Sequence, residues 1–206
     1  MFDDFVRHLF PRAVRENNLK ITYTFCLGGM AFTLFLLLVC SGVLLALYYQ
    51  PDSARAYASV VHLEEQVFGG CFLRSLHRHC ANLFLALVFL HSLRVALTGA
   101  YRPPRQMNWL IGCALLGLAM FSGYTGYLLP MDQLALWATQ TGMEVVKVVP
   151  GGEMLAAFLV PDAVGSSQSL LRFYVMHVLL LPTAIALLSL LHFYHIRRQK
   201  GVLPYL

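Results

Sequence analysis

The sequence predicts an all-α integral membrane protein, a four-helix bundle with an N-terminal interfacial helix, and three observations predict it. Apolar residues are 58% of the 206 and charged residues 12%, more apolar surface than a soluble domain of this length can hide. Four stretches, at about 22–48, 76–98, 109–129 and 171–196, are long and apolar enough to cross a bilayer core of ~30 Å. The charges stand at the ends of these stretches, as topology determinants do. The formal charge of +5 is therefore no basic patch, and nucleic acid is not an expected partner.

Taken in order, the first ten residues put Phe2, Phe5, Val6, Leu9 and Phe10 on one helical face and Asp3, Asp4 and Arg7 on the other, with Pro11 ending the pattern. This predicts the helix lying in the membrane interface. Residues 1–20 hold no apolar run followed by a small-residue cleavage site, so no signal peptide is expected. No soluble domain, low-complexity tract or internal repeat interrupts the chain, and 1–206 is read as one domain. The connection at about 130–169 is long, includes an amphipathic piece at 132–147, and is of the kind that often carries function.

Charge sets the expected orientation. The N-terminus, the second loop and the C-terminus hold Arg7, Arg12, Arg15, Lys20, Arg94, Arg102, Arg105, Arg197, Arg198 and Lys200 against three acids. The first and third loops hold five basic residues and seven acidic ones. Both termini are thus expected on the electrically negative, cytoplasmic or stromal side. Four spans return the chain to the side on which it starts, in agreement.

Ionisable groups inside apolar spans are costly and mark function. The second span has His77 and His91, fourteen residues apart, and the fourth has His177 and His192, fifteen apart. Each step is close to four helical turns, a rise of ~21 Å, so each pair shares a face of its helix. The second and fourth spans run in the same direction, so His77 is expected to face His177 and His91 to face His192. Two facing imidazoles at each of two levels suit axial ligation of two haems, because neutral imidazole donates strongly to iron and buries no charge. Interhelical hydrogen bonding or proton relay is the ordinary use of a single membrane histidine. Two matched pairs favour haem.

Gly28 and Gly42 in the first span and Gly112 and Gly126 in the third are also fourteen apart. Residues without Cβ let a flat porphyrin edge approach the backbone; small residues also serve helix packing. Arg74 and Arg78 flank His77, while Arg94 and Arg197 follow His91 and His192. All four suit haem propionates, though topology alone also accounts for Arg94 and Arg197. Cys26, Cys40, Cys71, Cys80 and Cys113 lack paired spacing, which disfavours a disulfide framework or zinc site.

The stretches FCLGG at 25–29, YYQP at 48–51, RSLHRHCANLFLALVFLHSLRVALTGAYRPPRQMNW at 74–109 and SGYTGYLLPMDQ at 122–133 resemble the cytochrome b6 family, the split N-terminal form of cytochrome b. The run from GSSQSLLRFYVMH to LPTAIALLSLLHFYHIRRQKG matches too, so the resemblance extends from about residue 15 to the end. It implies an electron-transfer subunit of a quinol-oxidising bc/b6f-type complex with two b haems, on His77/His177 and His91/His192. Quinol oxidised on the positive side sends one electron to a Rieske iron–sulfur protein and the other through this chain to a negative-side quinone. Further implied partners are a three-helix subunit completing the quinol pocket and a c-type cytochrome, in a dimeric complex. Cys26 matches the family cysteine that tethers an additional c-type haem through one thioether.

Met131 stands where oxygenic members carry tryptophan, and the segment after Trp137 is about two residues shorter. His79 and His195 also depart from the pattern. His195 has the alternatives of a proton donor at the quinone site or a snorkelling interfacial histidine. The competing functional classes are a dihaem anchor of a membrane dehydrogenase or reductase, and a non-redox transporter or proton channel.

Overall fold

The computed structural model describes residues 26–199, and the interfacial helix expected at 2–10 lies outside them. The described chain is helical: α1 (Leu27–Ala46), α2 (Ala56–Gln66), α3 (Gly70–Leu97), α4 (Gln106–Leu128), α5 (Gln133–Lys147), α6 (Gly152–Leu159), α7 (Ser167–Val175) and α8 (Leu181–Arg198). A π-helical turn, Met176–Leu180, joins α7 to α8. Four of these stretches are long and apolar enough to span a membrane: α1, α3, α4 and the continuous run Ser167–Arg198. No more than 22% of the most apolar window of any of them is buried. Side chains such as Leu36, Val43, Leu90, Leu110 and Leu187 point outward, which is stable where the solvent is hydrocarbon.

The helix limits differ from the sequence expectation where polar residues lie inside a helix. α3 begins at Gly70, six residues ahead of the expected 76, because Arg74, His77 and Arg78 dilute the hydropathy of turns that are nonetheless helical. α1 stops at Ala46, and its last turn tightens as Leu47 N–H donates to the Leu44 carbonyl (3.3 Å) and Tyr48 N–H to Leu45 (3.1 Å). In the third connection Asp132 caps α5, its carboxylate accepting from Ala135 N–H at 2.8 Å, which satisfies one of the orphan donors of a helix start.

Two compact units divide the described residues. One contains residues to 36, 81–120 and those from 183 onward. Its buried centre includes Ala31, Phe35, Phe84, Ala119, Ile185 and Ser189. Phe32 meets Phe193 edge-on at 4.9 Å between centroids, a geometry that sets the ring edge against the neighbouring π face.

The other unit contains residues 37–80 and 121–182, including α2, α5, α6 and α7. Leu128, Thr125, Ser169 and Leu170 are fully buried in it. The Tyr49 hydroxyl donates to the Leu129 carbonyl at 2.6 Å while its ring stacks on Tyr174. The Tyr124 hydroxyl donates to the Ala138 carbonyl at 3.1 Å, tying α4 to α5. Gly142 makes that contact possible, since a Cβ there would collide with the hydroxyl.

Candidate functional site: two histidine pairs

Each unit holds one of the expected histidine pairs. In the second unit His77 of α3 and His177 of the π turn face each other, with ring centroids 6.3 Å apart. In the first, His91 of α3 and His192 of α8 are 6.5 Å apart. Two imidazoles bound to one metal ion at ~2.0–2.1 Å per nitrogen need ring centres roughly 6.3 Å apart. The spacing therefore fits an iron between the rings of each pair. Each pair supplies two donors, and among the described residues no cluster of three or more His, Cys, Asp or Glu side chains suits a bare metal ion. A metal held by two trans imidazoles must bring its other donors with it, as the iron of a planar macrocycle does.

The glycines are distributed one to each histidine. A Cβ on Gly28 would lie 3.2 Å from His91 Cε1, one on Gly42 3.3 Å from His77 Cε1, and one on Gly112 3.5 Å from His192 Cε1. A Cβ on Gly126 would overlap the His177 ring. Glycines spaced for a porphyrin edge stand in the structure beside imidazole edges, so they first set how the rings stand.

The π turn accounts for the unequal histidine steps. Fourteen residues fall about 40° short of four α-helical turns, whereas fifteen overshoot by about 60°. In the helix that carries His177 and His192, Leu181 N–H donates to the Met176 carbonyl, five residues back. This wider turn takes up one additional residue. Pro182 favours the arrangement because it brings no N–H to the regular ladder. Fifteen residues thereby cover the same number of turns as the fourteen in α3.

The other expected residues are placed unevenly. An open cavity of about 290 Å³ in the first unit is lined by Cys26, Gly28, Arg94, Gly112, His91 and His192 among others. Cys26 is exposed and precedes α1 with a left-handed φ of 48°. Arg94 is half-buried there, whereas Arg197 is exposed near the end of α8 and is not part of the lining. In the second unit Arg74 pairs with Glu64 of α2, and Arg78 is exposed. His79 is exposed and its Nδ1 lies 2.7 Å from the Ser75 carbonyl, one turn back, facing away from the pair as its two-residue offset requires.

Sequence reasoning missed the hydroxyls. Ser41 Oγ lies 2.8 Å from His77 Nδ1, and Thr125 Oγ1 lies 3.2 Å from His177 Nδ1. The signal was present: each hydroxyl residue immediately precedes a glycine of the fourteen-residue series, Ser41 before Gly42 and Thr125 before Gly126.

A cytochrome b/b6/petB family model matches residues 14–200. The menaquinol:cytochrome c reductase cytochrome b subunit of Geobacillus thermodenitrificans is 38% identical over 202 residues, covering 97% of this chain and 90% of that protein. Cytochrome b6 of Heliobacterium mobile is 40% identical over 198 residues, covering 96% and 90%. A chain of a solved hyperthermophilic respiratory Complex III superposes with a TM-score of 0.81 at 26% identity over 90% of this chain. The chain spans half the length of that solved chain.

Proposed function

The chain belongs to the cytochrome b/b6 family, and from that premise we propose that it carries electrons across a membrane, from a quinol on the positive side to a quinone on the negative side. It does so as a subunit of a quinol-oxidising bc/b6f-type complex and is inactive alone. The observation that carries this reading is the pair of facing imidazoles in each unit at a spacing suited to iron. A b-type haem held by each pair supplies a one-electron couple. His77 and His177 would hold one such haem, and His91 and His192 would hold the other. Gly28, Gly42, Gly112 and Gly126 keep the ring edges free to stand at that spacing. Arg94 neutralises propionate charge at the first unit's cavity, and Arg197, near the end of α8, adds positive charge to the same unit. Arg74 and Arg78 have that role at the other pair, with Arg74 shared with Glu64.

Quinol oxidation releases two electrons of different destination. One leaves to a Rieske iron–sulfur protein and onward to a c-type cytochrome. The other enters this chain at the His77/His177 unit and leaves at the His91/His192 unit. Protons are released on the positive side and taken up on the negative side, where both termini lie. The connection carrying α5 and α6 forms one wall of the quinol pocket, and a three-helix subunit supplies the rest within a dimeric complex. Cys26, on the lining of the His91/His192 cavity, tethers a third haem of c type by a thioether.

Purification of the native complex tests the proposal. Two b haems per chain, together with co-purifying iron–sulfur and c-type subunits, are expected. Co-purification with a soluble dehydrogenase and no iron–sulfur partner of this kind would overturn it in favour of a one-sided anchor.

A further inference from the structure

The hydrogen-bond partners around the His77/His177 pair suit a proton on Nδ1 of each ring. A hydroxyl has one hydrogen to give. The Ser41 hydroxyl reaches the Leu37 carbonyl at 2.7 Å and the Leu38 carbonyl at 3.2 Å; with its hydrogen given to either, its oxygen is the acceptor for His77 Nδ1 at 2.8 Å. Thr125 gives its hydrogen to the Ser122 carbonyl at 3.0 Å. His177 Nδ1 lies 3.2 Å from Thr125 Oγ1 and 3.0 Å from that same carbonyl. Both neighbours are then acceptors, and His177 Nδ1 also carries its proton. Each ring is left with an Nε2 lone pair, the form that binds a metal.

The His91/His192 pair lacks these contacts. Among the described residues no side-chain hydroxyl bonds to either ring, and the Asn108 main chain approaches His192 Nδ1 without completing a hydrogen bond. The difference is written in the sequence one residue before each glycine. Ser41 and Thr125 precede Gly42 and Gly126, whereas aliphatic Leu27 and Ile111 precede Gly28 and Gly112.

We infer that Ser41 and Thr125 are positioning residues that hold His77 and His177 in their Nδ1–H form and lower the reduction potential of that unit's haem relative to the His91/His192 unit. This rests on the haem reading above. An acceptor on the distal N–H increases the donor strength of the ligating nitrogen. Each hydroxyl passes its own hydrogen to a main-chain carbonyl, and such chains polarise their members in the same direction. A stronger donor favours ferric over ferrous iron, so the potential falls. Ser41 and Thr125 are 4% and 0% exposed, so water does not substitute for either oxygen.

The test is a redox titration of the purified complex with b haems counted in parallel. S41A and T125V should keep two b haems. S41A should raise the midpoint of one by about a tenfold shift in its reduction equilibrium, ~59 mV for one electron; T125V, which leaves the Ser122 carbonyl to accept from His177, should raise the same midpoint by less, with the other haem unmoved in both. S41T and T125S, which restore the oxygen, should titrate as the unmodified complex does. The affected haem must be the one removed by H77L and not by H91L. If S41A or T125V loses its haem, S41C and T125C carry the measurement, since a thiol is a weaker acceptor; an upward shift there supports the assignment. Unchanged midpoints in haem-replete variants, or a shift at the other haem, would overturn it. Absence of b haem from the unmodified complex would instead refute the haem reading itself.

Discussion

Gly126 stands so close to His177 that a methyl group at its Cα would overlap the imidazole ring. The other three glycines leave more room, with clearances of 3.2, 3.3 and 3.5 Å from a built Cβ to the nearest ring atom at Gly28, Gly42 and Gly112. Steric tolerance is therefore graded. G126A should displace His177 and remove one b haem, with a packing cost of about 1–3 kcal/mol. G112A should retain both, and G28A and G42A should fall between. Haem per polypeptide, measured on purified membranes, ranks the four; equal retention by G126A and G112A would contradict the order.

The two pairs should also fail separately. H77L or H177L should remove one b haem and stop quinol oxidation, whereas H91L or H192L should remove the other and block electron exit while sparing the first transfer. Single-turnover spectra resolve the two cases. If all four variants kept the haem content of the parent, the pairs would not be the ligand sets.

The spans, the histidine pairs and the glycine series were legible because each follows from helical period and hydropathy, which are local. The contacts that shape the pairs were not. Glu64 competes for Arg74 from α2, a helix whose weakly amphipathic AYASVVHLEEQ carries no signal that hydropathy detects. The π turn was marked by the unequal histidine steps and by Pro182, five residues past His177, but its hydrogen bonding becomes apparent only with coordinates. Ser41 and Thr125 carry no signal in hydropathy or helical period, and their contacts with His77 and His177 emerge only from the packing of separate helices.

Acid should loosen the segment ahead of α7. The Ser169 hydroxyl donates to Asp162, and Gln168 N–H donates to the same carboxylate at 3.1 Å. These bonds hold the Asp162 carboxyl below its ordinary value of 3.8, with the Ser169 contact the principal cause. A depressed carboxylate contributes stability above its unfolded value and loses it as pH falls through the folded one. The contribution should therefore be intact above about pH 4 and fade below it. S169A should bring this loss to higher pH, and D162N should abolish the pH dependence. Limited proteolysis of the 160–166 connection across pH 2–6 reads both; identical profiles for parent and S169A would exclude the coupling.

Cys26 offers the sharpest chemical distinction between this chain and a plain dihaem cytochrome b. It lies ahead of α1 in a left-handed conformation, exposed, on the lining of the cavity that contains His91, His192 and Arg94. With the four histidines assigned to two b haems as proposed, an additional haem tethered at Cys26 would have no paired imidazole left to it. A thioether survives denaturation, whereas b haems held by imidazole dissociate. Denaturing electrophoresis should leave peroxidase-active haem on a band near 23.1 kDa. C26S should remove that staining while both b haems persist in the native spectrum, because Cys26 belongs to neither pair. Staining that survives C26S would place the attachment at another cysteine, and a parent band free of haem would leave a plain dihaem cytochrome b.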